Sequence, residues 1–214
     1  MAYKNIYILF FIPKCKRRIR TGMSKKPDVD SSKEKFLNAA VDEINKYGIA
    51  GFSMRRAAKA CKLSSGAPYK HFKSKNEVIS EIFKMINNRW HERQLEILSG
   101  CDGDLMDKLL EISIGYVKFL YENPKFQSIL MMNDSSFDTI QFTEKMKMSD
   151  ISADLVKQYC ISVNMPEDVA RRKTYVVRSL IYGAALLLSS GDFKYEEDSI
   201  NTIRKCIQRE FELA

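Results

Sequence analysis

Apolar residues recur at intervals of three and four along most of the chain, and that spacing predicts helices nearly throughout. Phe36, Leu37, Ala40, Ile44 and Tyr47 make one stripe of a first helix over about Lys33 to Tyr47, with Gly48 as its stop. Ser53 is placed to cap a second, short helix whose apolar face is Met54, Ala57, Ala58 and Cys61. Lys62-Leu63 reads as a turn. A third helix starts near Ser64, capped by Ser64 or Ser65, because Pro68 is tolerated only in a first turn. Ser74 and Glu77 have capping-box spacing. Beyond them Val78, Ile79, Ile82, Phe83, Ile86 and Trp90 carry a long helix to about Leu98, roughly 35 Å at 1.5 Å per residue.

The rest of the chain keeps the same period. Leu105, Leu109, Ile112, Tyr116 and Phe119 form a stripe that ends near Asn123-Pro124, and Phe126 to Met132 give a short helix. Asn133 to Asp138 is a break, and a further helix covers about Ile140 to Ser162. Two more run over about 167–190 and 197–212, the first stopping at Gly191. No stretch alternates with a period of two and none repeats, so the fold class is all-α.

Composition agrees with a globular chain of 214 residues, 45% hydrophobic and 29% charged. The net charge of +8 is uneven: residues 1–22 carry +6, residues 23–100 another +6, and residues 101–214 carry −4. Basicity therefore sits with the short helices and favours a polyanion partner there. Five scattered cysteines without C-x-x-C spacing indicate neither a disulfide framework nor zinc, and Cys61 reads as a small buried hydrophobe. Ile6 to Ile12 is seven apolar residues, against about 20 for a bilayer span, and basic residues follow it where a signal peptide would have them first. No membrane association is expected. Residues 1–29 read as an N-terminal extension, disordered or untranslated, with Met23 as the alternative start.

Ser53 to Lys75 holds the candidate chemistry. Two short helices about a tight turn form a helix-turn-helix, and small residues at the front of the second allow close docking in a DNA major groove. Ser53 and Arg55 are placed to hold phosphates. Ser65, Gly66, Ala67 and Pro68 would face base edges, with Ser64 also at the DNA, while Tyr69, Lys70, His71 and Lys75 would grip the backbone. The competing reading is a helical hairpin buried in a core.

The stretch from Tyr47-Gly48 through Gly51-Phe52-Ser53-Met54-Arg55, Ala57-Ala58, Leu63-Ser64 and Gly66 to Phe72, closing on Lys73-Ser74-Lys75, resembles the DNA-binding domain of the TetR (tetracycline repressor) family of transcriptional regulators. The resemblance implies a helix-turn-helix domain over 30–90 and a helical effector-binding and dimerisation domain over 91–214. It implies a homodimer on a near-palindromic operator in double-stranded DNA, in the cytoplasm, acting as a repressor released by a small-molecule effector.

In such a family the last two helices form the dimer contact. The nearly all-apolar helix around Ser179 to Leu188 suits that place, with Val177, Leu180, Ile181, Ala184, Leu188, Ile203 and Ile207 as the interface. One subgroup carries His-Gly in this helix; here Tyr182 replaces the His. Tyr116, Phe119, Phe126, Met131, Met132, Phe142 and Met146 are the candidate effector pocket, since Met and aromatic side chains line adaptable sites. His71 and His91 stand 20 residues apart and supply no metal or triad spacing, and no nucleotide or hydrolase motif occurs. Neither an enzyme, a cofactor nor a metal is expected. A helical interaction module without specific DNA binding is the alternative.

Overall fold

The computed structural model describes residues 31–132 and 150–213. Among them every regular element is a helix: α1 (Ser31–Gly51), α2 (Met54–Ala60), a short 3₁₀ helix (Ala67–Lys70), α3 (Lys75–Ser99), α4 (Leu105–Glu122), α5 (Pro124–Met131), α6 (Asp150–Ser162), α7 (Glu167–Ser190) and α8 (Glu197–Glu212). Residues 1–30, the break expected at 133–138 and the start of the helix expected from Ile140 lie outside the described residues. None of the described helices is long and apolar enough to cross a membrane.

Local signals explain the boundaries. Gly48 breaks the helical path inside α1 at φ 71°, a left-handed value that costs glycine nothing. Ser53 Oγ accepts the Arg56 N–H and starts α2. At the other end of α2, Leu63 N–H reaches Ala58 O and Lys62 N–H reaches Lys59 O, a Schellman closure with Lys62 at φ 60°. Ser74 Oγ accepts the Glu77 N–H, while the Glu77 carboxylate reaches back to Lys73 N–H rather than to Ser74. Asp104 and Asp107 cap each other reciprocally at the start of α4, and Gly191 ends α7 at φ 81°.

Two regions result. In the head, α1, α2 and the first turns of α3 close over Phe36, Ile44, Phe52, Ala57, Phe72, Ile82 and Phe83, all at most 1% exposed. In the body, α4 is the central helix and packs against α3, α5, α6, α7 and α8. Helix α3, 25 residues and about 37 Å long, belongs to both. A second joint runs from α1 to α5: Asn45 Nδ2 donates to Lys125 O at 3.1 Å, and Lys125 Nζ meets Asp42 at 2.7 Å. Beside it opens a cleft of about 340 Å³, lined by Asn38, Val41 and Asp42 on one side and residues 122–126 on the other.

Candidate nucleic-acid interface

The second helix of the motif is not an α-helix begun and capped at Ser64. It is a 3₁₀ turn from Ala67 to Lys70, with Gly66 before it and no side-chain cap. Tyr69 N–H bonds Gly66 O and His71 N–H bonds Pro68 O, both at i→i+3 spacing. Pro68 brings no N–H and Gly66 has little helical preference, so an i→i+4 ladder does not establish itself. Ser64, Ser65 and Gly66 form an exposed, small-residue edge, and Ala67 is half-buried. Pro68 is buried and turned inward, so it supports the edge rather than facing bases, against expectation.

The polar tips follow. Tyr69, 52% exposed, Lys70 and His71 stand out from the turn, with Lys75 and Arg55 exposed nearby in sequence. His71 lies edge-on to Phe72, ring centroids 6.2 Å apart. Phe72 packs on Phe36 at 5.4 Å and pins the turn to α1. Between Ser53 and Lys75 the sequence has seven Lys or Arg and no Asp or Glu, so this edge presents an acid-free positive surface. Ser53 is half-buried and its hydroxyl is already engaged as the α2 cap.

Arg56, absent from the sequence-based assignment, holds the motif together. Its Nε donates to Glu43 at 2.5 Å and its Nη2 to Gly51 O at 2.6 Å, and its guanidinium lies 4.5 Å from the Tyr47 ring centre. Glu43 is only 9% exposed, so this pair is an internal brace. Arg55 and Arg56 are adjacent and chemically identical; only the phase of α2 against α1 separates a solvent-facing arginine from a structural one.

Residues 36–82 match the family model described as bacterial regulatory proteins, tetR family. A curated relative, the HTH-type transcriptional regulator AcrR of Shigella flexneri, is 26% identical over 171 residues, covering 74% of this chain and 78% of that protein. The chain is a TetR family transcriptional regulator. This is a non-enzymatic, DNA-binding family. The fold of the whole TetR chain recurs in solved structures. A TetR family regulator from Marinobacter aquaeolei VT8 superposes with a TM-score of 0.70 at 19% identity, covering 85% of this chain and 95% of its own. The regulator FadR of Bacillus subtilis, solved in complex with stearoyl-CoA, has a TM-score of 0.67 at 16% identity, covering 83% and 96%.

In the body of this TetR regulator, the expected pocket residues fall into three groups. Tyr116, Phe119 and Phe126 join Trp90 in one aromatic strip: Trp90 lies 4.8 Å from Tyr116 and 5.3 Å from Phe119, and Phe126 lies 6.4 Å from Phe119. Phe119 and Phe126 are core residues. Met131 is exposed and Met132 half-buried at the end of α5. Phe142 and Met146 lie outside the described residues. Tyr182, the residue at the His position of the subgroup, has its hydroxyl 3.4 Å from that of Tyr116. Burial, and then the neighbouring Tyr182, push Tyr116 well above the ordinary phenol range.

Most of the expected dimer residues lie on the inner faces of α7 and α8. Val177, Ile181, Ala184, Leu188, Ile203 and Ile207 are buried inside the protomer, and Leu180 is half-buried. They cover α4 and each other and leave almost no surface to share. The outward stripe of α7 is instead Tyr175, Val176, Ser179, Gly183, Leu186 and Leu187, with open space over Gly183. The sequence is apolar on both faces of α7, so periodicity alone does not choose between them.

Proposed function

We propose that the protein is a homodimeric repressor that binds a near-palindromic operator and leaves it when a small molecule enters the body. The observation that carries this reading is the acid-free edge of Ser64, Ser65 and Gly66 with Tyr69, Lys70 and His71 beside it, mounted on a sealed wedge of Phe36, Phe52 and Phe72. Small groups allow close approach to base edges, and the basic and hydroxyl tips hold phosphate. A second copy docking on the Tyr175, Val176, Gly183 and Leu187 stripe of α7 would place two such edges on successive major grooves.

The effector reading follows from the joints. Trp90 of α3 rests on Tyr116 and Phe119 of α4, so a ligand parting this strip must tilt the helix that carries the head. Arg89, one residue before Trp90, lies 5.2 Å from the Phe126 ring centre, and Lys125 next to it bonds α1. A ligand preferring the tilted form would draw the population away from the DNA-matched spacing. The stearoyl-CoA of the FadR structure, a long acyl chain on an anionic nucleotide, supports an effector with a long apolar portion.

Selection of random duplexes by the purified protein at physiological salt tests the proposal. Recovery of a near-palindrome with half-sites one helical turn apart is the expected result. Salt-sensitive binding without a preferred sequence would instead favour the interaction module. On the selected site, Lys70→Ala and Lys75→Ala should each flatten the dependence of log affinity on log salt by about one unit, without changing the preferred sequence.

A further inference from the structure

The side-chain amide of Gln127 carries a buried donor that no described residue satisfies. Gln127 is 5% exposed on α5. Its Oε1 accepts the Ser189 hydroxyl of α7 at 3.0 Å. Its Nε2 is sealed from solvent and has no hydrogen-bond partner among the described residues. Buried donors in folded proteins are almost always paired, and an unpaired one costs its full desolvation. A methionine at this position would fill the same length of space at no such cost. The group therefore asks for a ligand.

Its surroundings define that ligand. Phe126, the preceding residue on α5, begins the aromatic strip that runs through Phe119 to Trp90 and Tyr116. The buried polar side chains of α3 and α4, Ser80, Gln94 and Ser113, are neutral, and Gln94 and Ser113 are bonded to Ser152 Oγ and Leu109 O. The two buried charges lie elsewhere. Glu43 is braced by Arg56 in the head, and Lys173 donates to Glu210 O and Leu213 O at the end of α8. A cation borders the strip, for the Arg89 guanidinium lies 5.2 Å from the Phe126 ring centre. Met131, one turn beyond Gln127 and exposed, supplies a flexible thioether cover at the surface end.

We propose that Gln127 is the polar anchor of the effector site, and that it selects a largely apolar molecule bearing a hydrogen-bond acceptor such as a carbonyl oxygen. This rests on the reading that an effector enters the α3–α4–α5–α7 layer. Ser189 fixes the amide so that its NH₂ faces the incoming group.

The test uses the full chain and its single tryptophan, Trp90, which stands in the strip as a reporter. Quenching of Trp90 is titrated with 6-propionyl-2-dimethylaminonaphthalene and with its 6-propyl counterpart, in which CH₂ replaces C=O. The wild type is expected to bind the ketone about tenfold more tightly than the hydrocarbon. Gln127→Met should level the two by weakening the ketone alone, and should melt no lower than wild type because it removes an unpaired donor. Ser189→Ala, which frees the amide to turn, should narrow the preference. A wild type that does not distinguish the dyes, or either variant retaining the full tenfold preference, overturns the assignment of Gln127. If both dyes quench Trp90 alike, only that assignment falls. If neither quenches it, the effector reading of the strip falls as well.

Discussion

The head and the body of this chain bury similar side chains to opposite ends. The head is a closed solid. Its aromatic core is sealed, its one buried carboxylate is braced by Arg56, and what remains outside is basic and hydrophilic. The body is a solid left open in two places. It buries an amide donor that its neighbours do not satisfy, and it leaves Tyr175, Val176, Leu186 and Leu187 on one face of α7 in water. A region that reads a fixed partner by surface contact is served by rigidity. A region that must admit a ligand and a second copy is served by unspent hydrogen-bonding and apolar surface.

The largest expected effect breaks the head and spares the body. Phe72→Ala removes the ring that ties the reading turn to Phe36 and leaves a cavity, at a cost of about 3–5 kcal/mol. Operator binding should be lost, while quenching of Trp90 by an apolar ligand survives. Loss of both together would show that head and body do not behave as separable solids.

The next prediction turns on two adjacent leucines. Leu188 is buried under α7 and Leu187 is 37% exposed on its outer side. Leu188→Ala should destabilise the protomer by about 2–5 kcal/mol, read by urea unfolding. Leu187→Glu should leave the protomer folded and halve the mass measured in solution, because it puts a charge into the proposed interface. A dimer that persists in Leu187→Glu would move the contact off this stripe.

These pairs also mark where the sequence is legible. Ser53, Ser74, Gly48 and Gly191 announce helix ends because capping and left-handed backbone are decided within a few residues. The long stripes of α3 and α4 announce themselves because one face is polar. The 3₁₀ form of the reading turn is hidden, because it depends on Gly66 and Pro68 failing together to sustain an α ladder. The phase of α7 is hidden because Val176-Val177 and Leu186-Leu187-Leu188 are apolar on both sides. Gln127 is hidden because one amide in an apolar run reads as a surface residue until the packing of α7 closes over it.

A smaller effect separates two adjacent arginines of the head. Arg56→Ala deletes the Glu43 pair, the bond to Gly51 O and the stacking on Tyr47. The arginine side chain is half exposed, so the expected loss is about 1–2 kcal/mol. Arg55→Ala should leave the unfolding midpoint within error and weaken DNA binding at low salt. If the two variants behave alike in both measurements, the phase assigned to α2 is wrong.

The smallest expected effect is acid loosening of the head at Glu81. This carboxylate accepts Lys33 of α1 at 2.8 Å and Lys84 at 2.7 Å, and Lys33 also lies 5.7 Å from the Phe72 ring centre. Burial by itself would raise its pKa, but the hydrogen bonds and charges of Lys33 and Lys84 outweigh it and hold the group below the ordinary carboxylate value of 4.5. A pKa lowered by folding means that the folded state binds the proton less readily than the unfolded one. Its stabilisation is therefore present above pH 4.5 and drains away as the pH falls through the lowered value. The pair is partly exposed, so it contributes about 0.2–1 kcal/mol. Other carboxylates titrate in the same range, so the informative quantity is the difference between wild type and Glu81→Gln across the pH series. That difference should be constant from pH 7 to 5 and shrink toward zero at lower pH, as the wild-type carboxylate becomes as neutral as the amide. A difference that grew on acidification would mean that Glu81 is held protonated rather than charged, and that Lys33 ties α1 to α3 through its stem over Phe72 instead of its charge.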